Sequence, residues 1–216
     1  MLEKMDAFFE ARLDGYDQHM LMEIEGAQEF YPFTASLLPA QSGASVLDLG
    51  CGTGLELGAY FRLNPSAEVT GVDLSEGMLQ RLREKFPQQK IRTICGSYFD
   101  VPLGERMYDA AVSVESLHHF PMEQKIRLYR RLHSALKEGG FFILTDYFAP
   151  TEAEEMLYFS ELQRLKKESG ISDDAFYHYD TPLTVEHETQ ALLTAGFSSV
   201  EELKCWEATH TLRAVR

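Results

Sequence analysis

Hydrophobic and polar positions along the chain follow two alternating periods. Short apolar runs of strand length are separated by segments in which apolar residues recur every three or four positions, as on one face of a helix. A regular succession of strand and helix predicts right-handed βαβ units and a parallel sheet covered on both faces. The predicted strands cover residues 45–49, 68–73, 91–95, 109–114 and 141–146, and the helices between them cover 55–63, 75–85 and 122–137.

Both ends of the chain depart from this alternation. Helix-like patterns precede the first strand, and after the fifth strand Thr151 and Glu154 have the spacing of a capping box, which predicts a further helix. The last two strands lie too close together for a helical crossover and predict an antiparallel hairpin. We therefore predict an α/β protein whose parallel sheet is completed by an antiparallel pair. The predicted terminal helices cover 20–28, 30–38, 151–167 and 184–194, and the hairpin strands cover 199–206 and 208–215.

The helix predicted over 122–137 carries an apolar stripe that we expect to pack on the sheet. Gly139 and Gly140 are predicted to end it, because glycine adopts the positive φ that a helix C-terminus favours. The same segment holds the densest group of basic residues, which we interpret as a solvated helix face rather than a nucleic-acid surface. These residues are Lys125, Arg127, Arg130, Arg131 and Lys137.

Composition and charge narrow the class of protein. The 216 residues are 44% hydrophobic and 25% charged, as in globular proteins, and the net charge of −14 disfavours a nucleic-acid partner. No apolar run could span a bilayer, and the charged N-terminal segment does not resemble a signal peptide, so we expect a soluble cytoplasmic protein. Cys51, Cys95 and Cys205 are odd in number and widely spaced, which predicts neither a disulfide framework nor a zinc knuckle.

Residues 46–54, VLDLGCGTG, lead a buried strand into a glycine-rich turn that opens a helix. Ligands in open α/β sheets lie at the carboxyl ends of strands, and glycines let the backbone approach them closely. The pattern G-x-G-x-G differs from the G-x-G-x-x-G of dinucleotide folds. Asp73 ends the second strand 19 residues after Gly54, where a carboxylate can accept hydrogen bonds from ribose hydroxyls. Asp73 could instead serve only the next helix, for which Ser75 is a good N-cap, but together with the glycine turn the ribose role is favoured.

Five motifs follow in order: VLDLGCGTG, GVDLS, CGSYFDVP, YDAAVSVESLHHF and LKEGGFFILTDYF, with LLTAGFSSV near the C-terminus. Over residues 16–216 the chain resembles class I S-adenosylmethionine-dependent methyltransferases. The resemblance implies a Rossmann-like, doubly wound sheet of seven strands in the order 3-2-1-4-5-7-6, with the last strand antiparallel, and S-adenosylmethionine as cofactor. The AGF turn also resembles carboxymethyl-transferring enzymes that modify the tRNA wobble uridine.

The resemblance implies a set of cofactor-binding residues. Asp48 and the glycine turn would hold the methionine end, Asp73 the ribose, and Leu74 and Met78 the adenine. Ser97 stands where many relatives have Asp. The expected cofactor residues are Tyr16, Asp48, Gly50, Cys51, Gly52, Thr53, Gly54, Asp73, Leu74, Met78, Ser97, Tyr98 and Glu115.

Methyl transfer from a sulfonium is an in-line displacement with a neutral leaving group, so the protein must mainly orient the acceptor and in some cases remove a proton. His118 and His119 follow the fourth strand and are candidate general bases, although LHHF in this family is also explained by packing. Neither histidine has ligand companions at a suitable spacing, so no metal site is expected. Asp146, Tyr147 and His178 are candidate substrate residues.

We expect a single methyltransferase domain that transfers methyl to a small organic acceptor, with a homodimer allowed for. The alternatives are a tRNA-modifying methyl or carboxymethyl transferase and a non-catalytic S-adenosylmethionine-binding protein. Carboxymethyl-transferring relatives are expected to have an Arg where this chain has Ala191, which favours unmodified S-adenosylmethionine. The expected divisions are an N-terminal cover (2–40), a cofactor-binding half (41–146), a lid insertion (147–183) and a C-terminal helix with hairpin (184–216).

Overall fold

Seven strands form one sheet in the order β3-β2-β1-β4-β5-β7-β6, which confirms the predicted fold class. The computed structural model describes residues 2–171 and 177–216. Strands β1 to β5 pair in parallel, while β7 pairs antiparallel with both β5 and β6. The strands are β1 (Ser45–Leu49), β2 (Glu68–Asp73), β3 (Lys90–Cys95), β4 (Tyr108–Val114), β5 (Leu136–Tyr147), β6 (Ser199–Trp206) and β7 (Thr209–Val215).

Helices cover both faces of this sheet. Side chains of β5 alternate between the two cores: Phe142 packs with Leu128 on one face, and Ile143 packs with Leu57 on the other. No helix among the described residues is long and apolar enough to cross a membrane. The helices are α1 (Met5–Glu10), α2 (Tyr16–Glu23), α3 (Ala27–Ser36), α4 (Leu55–Leu63), α5 (Glu76–Lys85), α6 (Met122–Ala135), α7 (Glu152–Ser169) and α8 (Val185–Ala195).

Side-chain caps begin three of these helices. The hydroxyls of Ser75, Thr151 and Thr184 accept hydrogen bonds from backbone N–H groups three residues later, at 3.1 to 3.2 Å. Each cap satisfies a donor that the first helical turn leaves unpaired. The predicted helix and its Thr151 cap are confirmed, but the reciprocal half of the capping box is not observed, because the Glu154 carboxylate accepts from the Thr151 hydroxyl rather than from its N–H.

The predicted role of Gly139 and Gly140 is wrong. Helix α6 ends at Ala135, and β5 begins with the next residue. Gly139, with φ of 72°, lies inside β5, where the pairing with β4 shifts between Tyr108 and Ala110. The positive φ of the glycine therefore serves an irregularity in the strand rather than a helix cap.

The solvated-face interpretation of α6 is also wrong for two of its basic residues. Lys125 is buried and forms an ion pair with Glu188 of α8. The Glu188 carboxylate also accepts a hydrogen bond from the Tyr129 hydroxyl. Arg131 donates to backbone carbonyls of the segment after β3, including that of Tyr98 at 2.8 Å. Both cations hold α6 against its neighbours, whereas the remaining basic residues of the group, Arg127, Arg130 and Lys137, are exposed or partly exposed.

Candidate active site

Two neighbouring cavities open at the carboxyl ends of β1, β2 and β4. The smaller, here called the glycine cleft, has a volume of about 40 Å³ and lies against the glycine-rich turn. The larger, here called the helical cavity, has a volume of about 780 Å³ and lies beneath α1 and α2. Phe9, Tyr16 and Glu115 line both, so the two cavities adjoin. The glycine cleft is lined by Met5, Phe9, Tyr16, Gly50, Gly52, Asp73, Leu74, Met78, Tyr98, Glu115 and Ser116.

Asp73 is fixed at the end of β2 by two backbone hydrogen bonds. Its Oδ2 accepts from the Gly52 N–H at 2.8 Å, and its Oδ1 accepts from the Ser75 N–H at 2.9 Å. Burial raises the pKa of Asp73, although these bonds oppose the rise. The carboxylate thus serves both the start of α5 and the wall of the cleft, so the two hypotheses for this residue are compatible.

The glycine turn needs glycine where it meets β4. Gly50 has φ of 72°, and a Cβ there would lie 2.6 Å from the Cβ of Ser116 and closer still to its hydroxyl. Gly52, with φ of 48°, faces the Tyr16 hydroxyl, which lies 3.8 Å from the position of a Cβ. The backbone of the turn is therefore exposed to the cleft and has little steric cover.

Two buried carboxyl groups lie below the turn. Asp48 of β1 and Glu56 of α4 are 1% and 3% exposed, and their carboxyl groups interact with each other. Burial raises the pKa of both. Asp48 Oδ2 and Glu56 Oε1 have no hydrogen-bond partner among the described residues. Burial, followed by the charges of Asp73 and Glu56, also raises the pKa of Tyr16, which shows that acidic groups surround the cleft.

The N-terminal helices are fastened over this cleft. Glu10 of α1 accepts a hydrogen bond from the Ser75 hydroxyl at 2.6 Å. Asp17 of α2 accepts from the Thr53 hydroxyl and pairs with Lys85 at 2.7 Å. Thr53, expected to touch the cofactor, therefore ties α2 to the glycine turn.

Five expected cofactor residues do not line the cleft, and three of them, Cys51, Thr53 and Gly54, belong to the glycine turn itself. Cys51 packs beneath Gly71, Gly54 packs against Leu82, and Thr53 binds Asp17 as described. The Ser97 hydroxyl accepts from the Phe99 N–H at 3.1 Å. Asp48 also lies outside the lining. The expected residues that do line the cleft are Tyr16, Gly50, Gly52, Asp73, Leu74, Met78, Tyr98 and Glu115.

Aromatic and titratable side chains line the helical cavity, among them Phe8, Tyr147 and Trp206. His118 and His119 lie in its wall, as the sequence suggested, and Asp146 lies behind His118, with its carboxylate 2.5 Å from His118 Nδ1. Burial lowers the pKa of His118, but the charges of Asp146 and Asp180 raise it to about 9. Burial and the neighbouring His118 lower the pKa of His119 to about 4. Asp146 therefore orients a histidine and does not itself line the cavity.

Glu115 stands at the junction of the two cavities with a left-handed φ of 49°. Its carboxylate accepts a hydrogen bond from the Thr209 hydroxyl at 3.2 Å. Removal from bulk water and the charge of Asp146 raise the pKa of Glu115 to about 8. A non-glycine residue held in this conformation is strained, and such strain is often found at functional positions.

The N-terminal segment and residues 177–180 meet over the cavity. The His178 N–H donates to the Glu3 carbonyl at 3.0 Å, and Lys4 pairs with Tyr177 in an antiparallel bridge. The His178 ring stacks on Phe8 with centroids 3.5 Å apart. The predicted lid insertion 147–183 includes residues 172–176, which lie outside the described residues.

Several functional candidates were missed in the sequence. Glu56 lies two residues after the last glycine of the turn, so its proximity to Asp48 could have been noticed. Asp180 lies 61 residues after His119, and no local pattern connects the two. Met5 and Phe9 are ordinary apolar residues of a short helix, and only the folded chain brings them to the cleft.

Comparison with known proteins places these features in a family. A family described as a methyltransferase domain matches residues 46–140. A carboxy-S-adenosyl-L-methionine synthase of Citrifermentans bemidjiense is 31% identical over 177 residues, covering 75% of this chain and 72% of the relative. A tRNA (carboxymethyluridine(34)-5-O)-methyltransferase of Arabidopsis thaliana is 31% identical over 129 residues, but these cover only 59% of this chain and 30% of that relative.

Solved structures share the fold. Human N-acetylserotonin methyltransferase, solved in complex with S-adenosylmethionine, superposes with a TM-score of 0.68 at 16% identity over 96% of this chain and 56% of its own. The strand order, the glycine turn followed by Asp73, and the identity to a relative covered over most of its length agree with one another. The chain belongs to the class I S-adenosylmethionine-dependent methyltransferase family, and S-adenosylmethionine is its cosubstrate.

Proposed function

We propose that this chain transfers the methyl group of S-adenosylmethionine to a small organic acceptor bound in the helical cavity. The observation that carries the proposal is the cavity of about 780 Å³ that adjoins the glycine cleft at Glu115, Tyr16 and Phe9. Its volume lies within the range typical of small-molecule sites, about 300–1,000 Å³. Aromatic side chains with a few converging polar groups are also the usual lining of such sites.

The residues of the glycine cleft fit the cosubstrate. Gly50 and Gly52 leave the turn open to a close approach, and Asp73 offers carboxylate oxygens to ribose hydroxyls. The buried carboxyl pair of Asp48 and Glu56 provides negative potential for a cationic methionine end. When bound, S-adenosylmethionine supplies a methyl group on a positively charged sulfur, and the leaving thioether is neutral.

The cleft must widen to admit a nucleoside, because its volume of about 40 Å³ is far below that of a small-molecule site. Met5 and Phe9 of α1 form part of its wall. We propose that residues 6–30 together with the lid helix α7 act as a mobile cover, and that α1 swings out when the cosubstrate enters. Closure would then exclude water from the junction.

Within the helical cavity, orientation of the acceptor is the main task of the protein. Asp146 fixes His118 through Nδ1, so the Nε2 edge of His118 is left for the cavity. We assign acceptor contacts to His118, His119, Tyr147 and His178, which line the cavity, and a positioning role to Asp146. Tyr147 is itself held by a hydrogen bond between its hydroxyl and that of Tyr158 at 3.0 Å.

Two features favour unmodified S-adenosylmethionine and a small acceptor over the tRNA alternatives. Ala191, at the expected position of a carboxylate-binding Arg, is fully buried in the core between α6 and α8 and lines neither cavity. Of the basic residues on α6, Lys125 and Arg131 are bound to neighbouring groups of this chain. Ala191 therefore offers no charge to an extra carboxylate, and Lys125 and Arg131 are not available to a phosphate backbone.

The test uses S-adenosylmethionine carrying an isotopically labelled methyl group, with a panel of phenols, amines, thiols and carboxylic acids and, separately, unmodified tRNA. Mass spectrometry should find label in one small-molecule class, and the Asp73→Ala variant should give none. Label in tRNA alone would contradict the proposal. Tight binding without transfer to any acceptor would favour the non-catalytic alternative.

A further inference from the structure

Three potential ligand atoms converge in the wall of the helical cavity. His119 Nδ1 lies 3.1 Å from Asp180 Oδ1, and His118 Nε2 lies 3.5 Å from the same oxygen. All three atoms lie within 4.8 Å of one another. The histidine side chains are 10% and 3% exposed, whereas Asp180 is 47% exposed, so the group opens to one side. Sequence spacing predicts no metal site, because only folding brings Asp180 to the two histidines.

These separations match those between neighbouring ligands of one metal ion. Bonds of about 2.0–2.2 Å to imidazole nitrogen and carboxylate oxygen place adjacent ligand atoms about 3.0 to 3.4 Å apart in octahedral or tetrahedral geometry. The Nδ1 of His118 is already paired with Asp146 at 2.5 Å, which leaves Nε2 as its ligand atom. A carboxylate behind a histidine in this way is the usual outer support of a metal-binding imidazole.

We propose that His118, His119 and Asp180 bind one divalent transition-metal ion, Zn²⁺ or Fe²⁺, in the helical cavity. Two imidazoles and one carboxylate suit these ions, whereas Mg²⁺ and Ca²⁺ prefer oxygen ligands. With three protein ligands the ion keeps open positions on the cavity side. If the proposed function holds, an oxygen, nitrogen or sulfur of the acceptor occupies one of them in place of a direct contact with His118 and His119, and the ion orients that atom and lowers its pKa.

The chain offers an internal competitor for the metal. Glu202, Cys205 and His210 on the β6–β7 hairpin also bring three ligand atoms within 4.8 Å of one another. This group is largely exposed to solvent and contains a thiol, whereas the cavity group contains none. Co²⁺ bound at the hairpin would therefore show a thiolate charge-transfer absorption band, whereas Co²⁺ bound in the cavity would not.

The test titrates the chelator-treated 216-residue chain with Co²⁺ and Zn²⁺, followed by absorption spectroscopy and calorimetry. One ion should bind per chain, without a thiolate charge-transfer band, in the wild type and in Cys205→Ser. Binding should weaken at least about 100-fold in His119→Gln and Asp180→Asn, and about 10- to 100-fold in Asp146→Asn, which removes an outer support. Circular dichroism melts establish that each variant is folded.

Binding that persists in folded His119→Gln and Asp180→Asn would overturn the inference, as would a thiolate band that disappears in Cys205→Ser. If the wild type binds neither Co²⁺ nor Zn²⁺ at about 100 μM metal, the inference would also be overturned. Methyl transfer by metal-free protein is measured separately. If the metal-free protein transfers methyl, the proposed function stands but the metal has no role in it. If metal binds specifically but no methyl is transferred, the metal site stands but the proposed function is wrong.

Discussion

The base of the glycine cleft is built from strand ends and the turns that follow them, whereas the helical cavity is closed by short helices and connecting segments. In the cleft, backbone groups hold Asp73 from two sides. Over the cavity, α1 has six residues, and neither α1 nor α2 has a side-chain cap. Elements with few backbone restraints open at low free energy. The comparison contrasts the base of the cosubstrate site, which backbone hydrogen bonds hold in place, with the short helices α1 and α2, which cover both the cleft and the cavity and can open.

The largest effect is expected at Asp73. Asp73→Ala should weaken S-adenosylmethionine binding at least about 100-fold, because two hydroxyl hydrogen bonds to a charged carboxylate contribute about 1.5–3 kcal/mol each. Asp73→Asn keeps one acceptor oxygen for the backbone, so its affinity for S-adenosylmethionine should lie between those of the wild type and Asp73→Ala. Calorimetry measures the dissociation constants, with exposed Asp100→Ala as control. Unchanged affinity in Asp73→Ala, or binding of NAD in place of S-adenosylmethionine, would refute the assignment of the cleft.

A second prediction concerns the contact between the glycine turn and β4. Gly50→Ala should destabilise the protein by about 2–4 kcal/mol, because a left-handed φ and a collision with Ser116 act together. Gly52→Ala, where the nearest atom is 3.8 Å from a Cβ, should cost only the backbone strain, about 1–2 kcal/mol. Chemical denaturation measures both. In a double-mutant cycle, Ser116→Gly should recover most of the steric part, and strict additivity would show that the collision is absent.

A third prediction concerns the buried acids below the turn. The pKa values of Asp48 and Glu56 are higher in the folded protein than in the unfolded chain, so protonation of these groups favours folding. This stabilisation is fully present below about pH 4, the pKa of such groups in the unfolded chain, and is lost as the pH rises through their pKa values in the folded protein. Glu56→Gln should therefore raise the melting temperature of the ligand-free protein at pH 8 by roughly 2–4 °C, reduce the pH dependence, and weaken S-adenosylmethionine binding. Exposed Glu105→Gln should change none of these, and a lower melting temperature at pH 8 in Glu56→Gln would contradict the account.

The smallest effect is expected where α1 rests on α5. A Cβ at Gly77 would meet Leu13 and lie 2.7 Å from Glu10 Oε1, so Gly77→Ala should displace α1 while the higher helix propensity of alanine supports α5. Amide exchange of residues 5–10 should quicken, and S-adenosylmethionine should associate a few-fold faster. Gly58→Ala, whose nearest atom is 3.7 Å away, is the matched control. Equal exchange in the two variants would argue against the cover.

Much of the glycine cleft could be predicted because its determinants are local. The end of β2 fixes Asp73, and the turn after β1 fixes Gly50 and Gly52, each within a few residues. Strand order followed from the resemblance and from the closeness of the last two strands. These features depend on short-range spacing, which a single sequence displays directly.

The helical cavity could not be predicted in the same way because its contacts are long-range. Asp180 reaches His119 across 61 residues, and outside the cavity the buried pair of Glu188 and Lys125 spans 63 residues in the same way. A basic residue on a helix is usually solvated, so only the fold reveals that Lys125 is buried. Gly139 failed as a helix cap because β5 begins at Leu136, five residues earlier than its apolar run suggests.

The central claim is that cosubstrate and acceptor occupy separate compartments, and the dissociation constant of S-adenosylmethionine in two variants tests it most directly. Asp73→Ala alters the cleft, whereas Ala208→Trp fills part of the helical cavity, which Ala208 lines. The account predicts at least about 100-fold weaker binding in Asp73→Ala and a change below about twofold in Ala208→Trp. Comparable losses in both folded variants would contradict it.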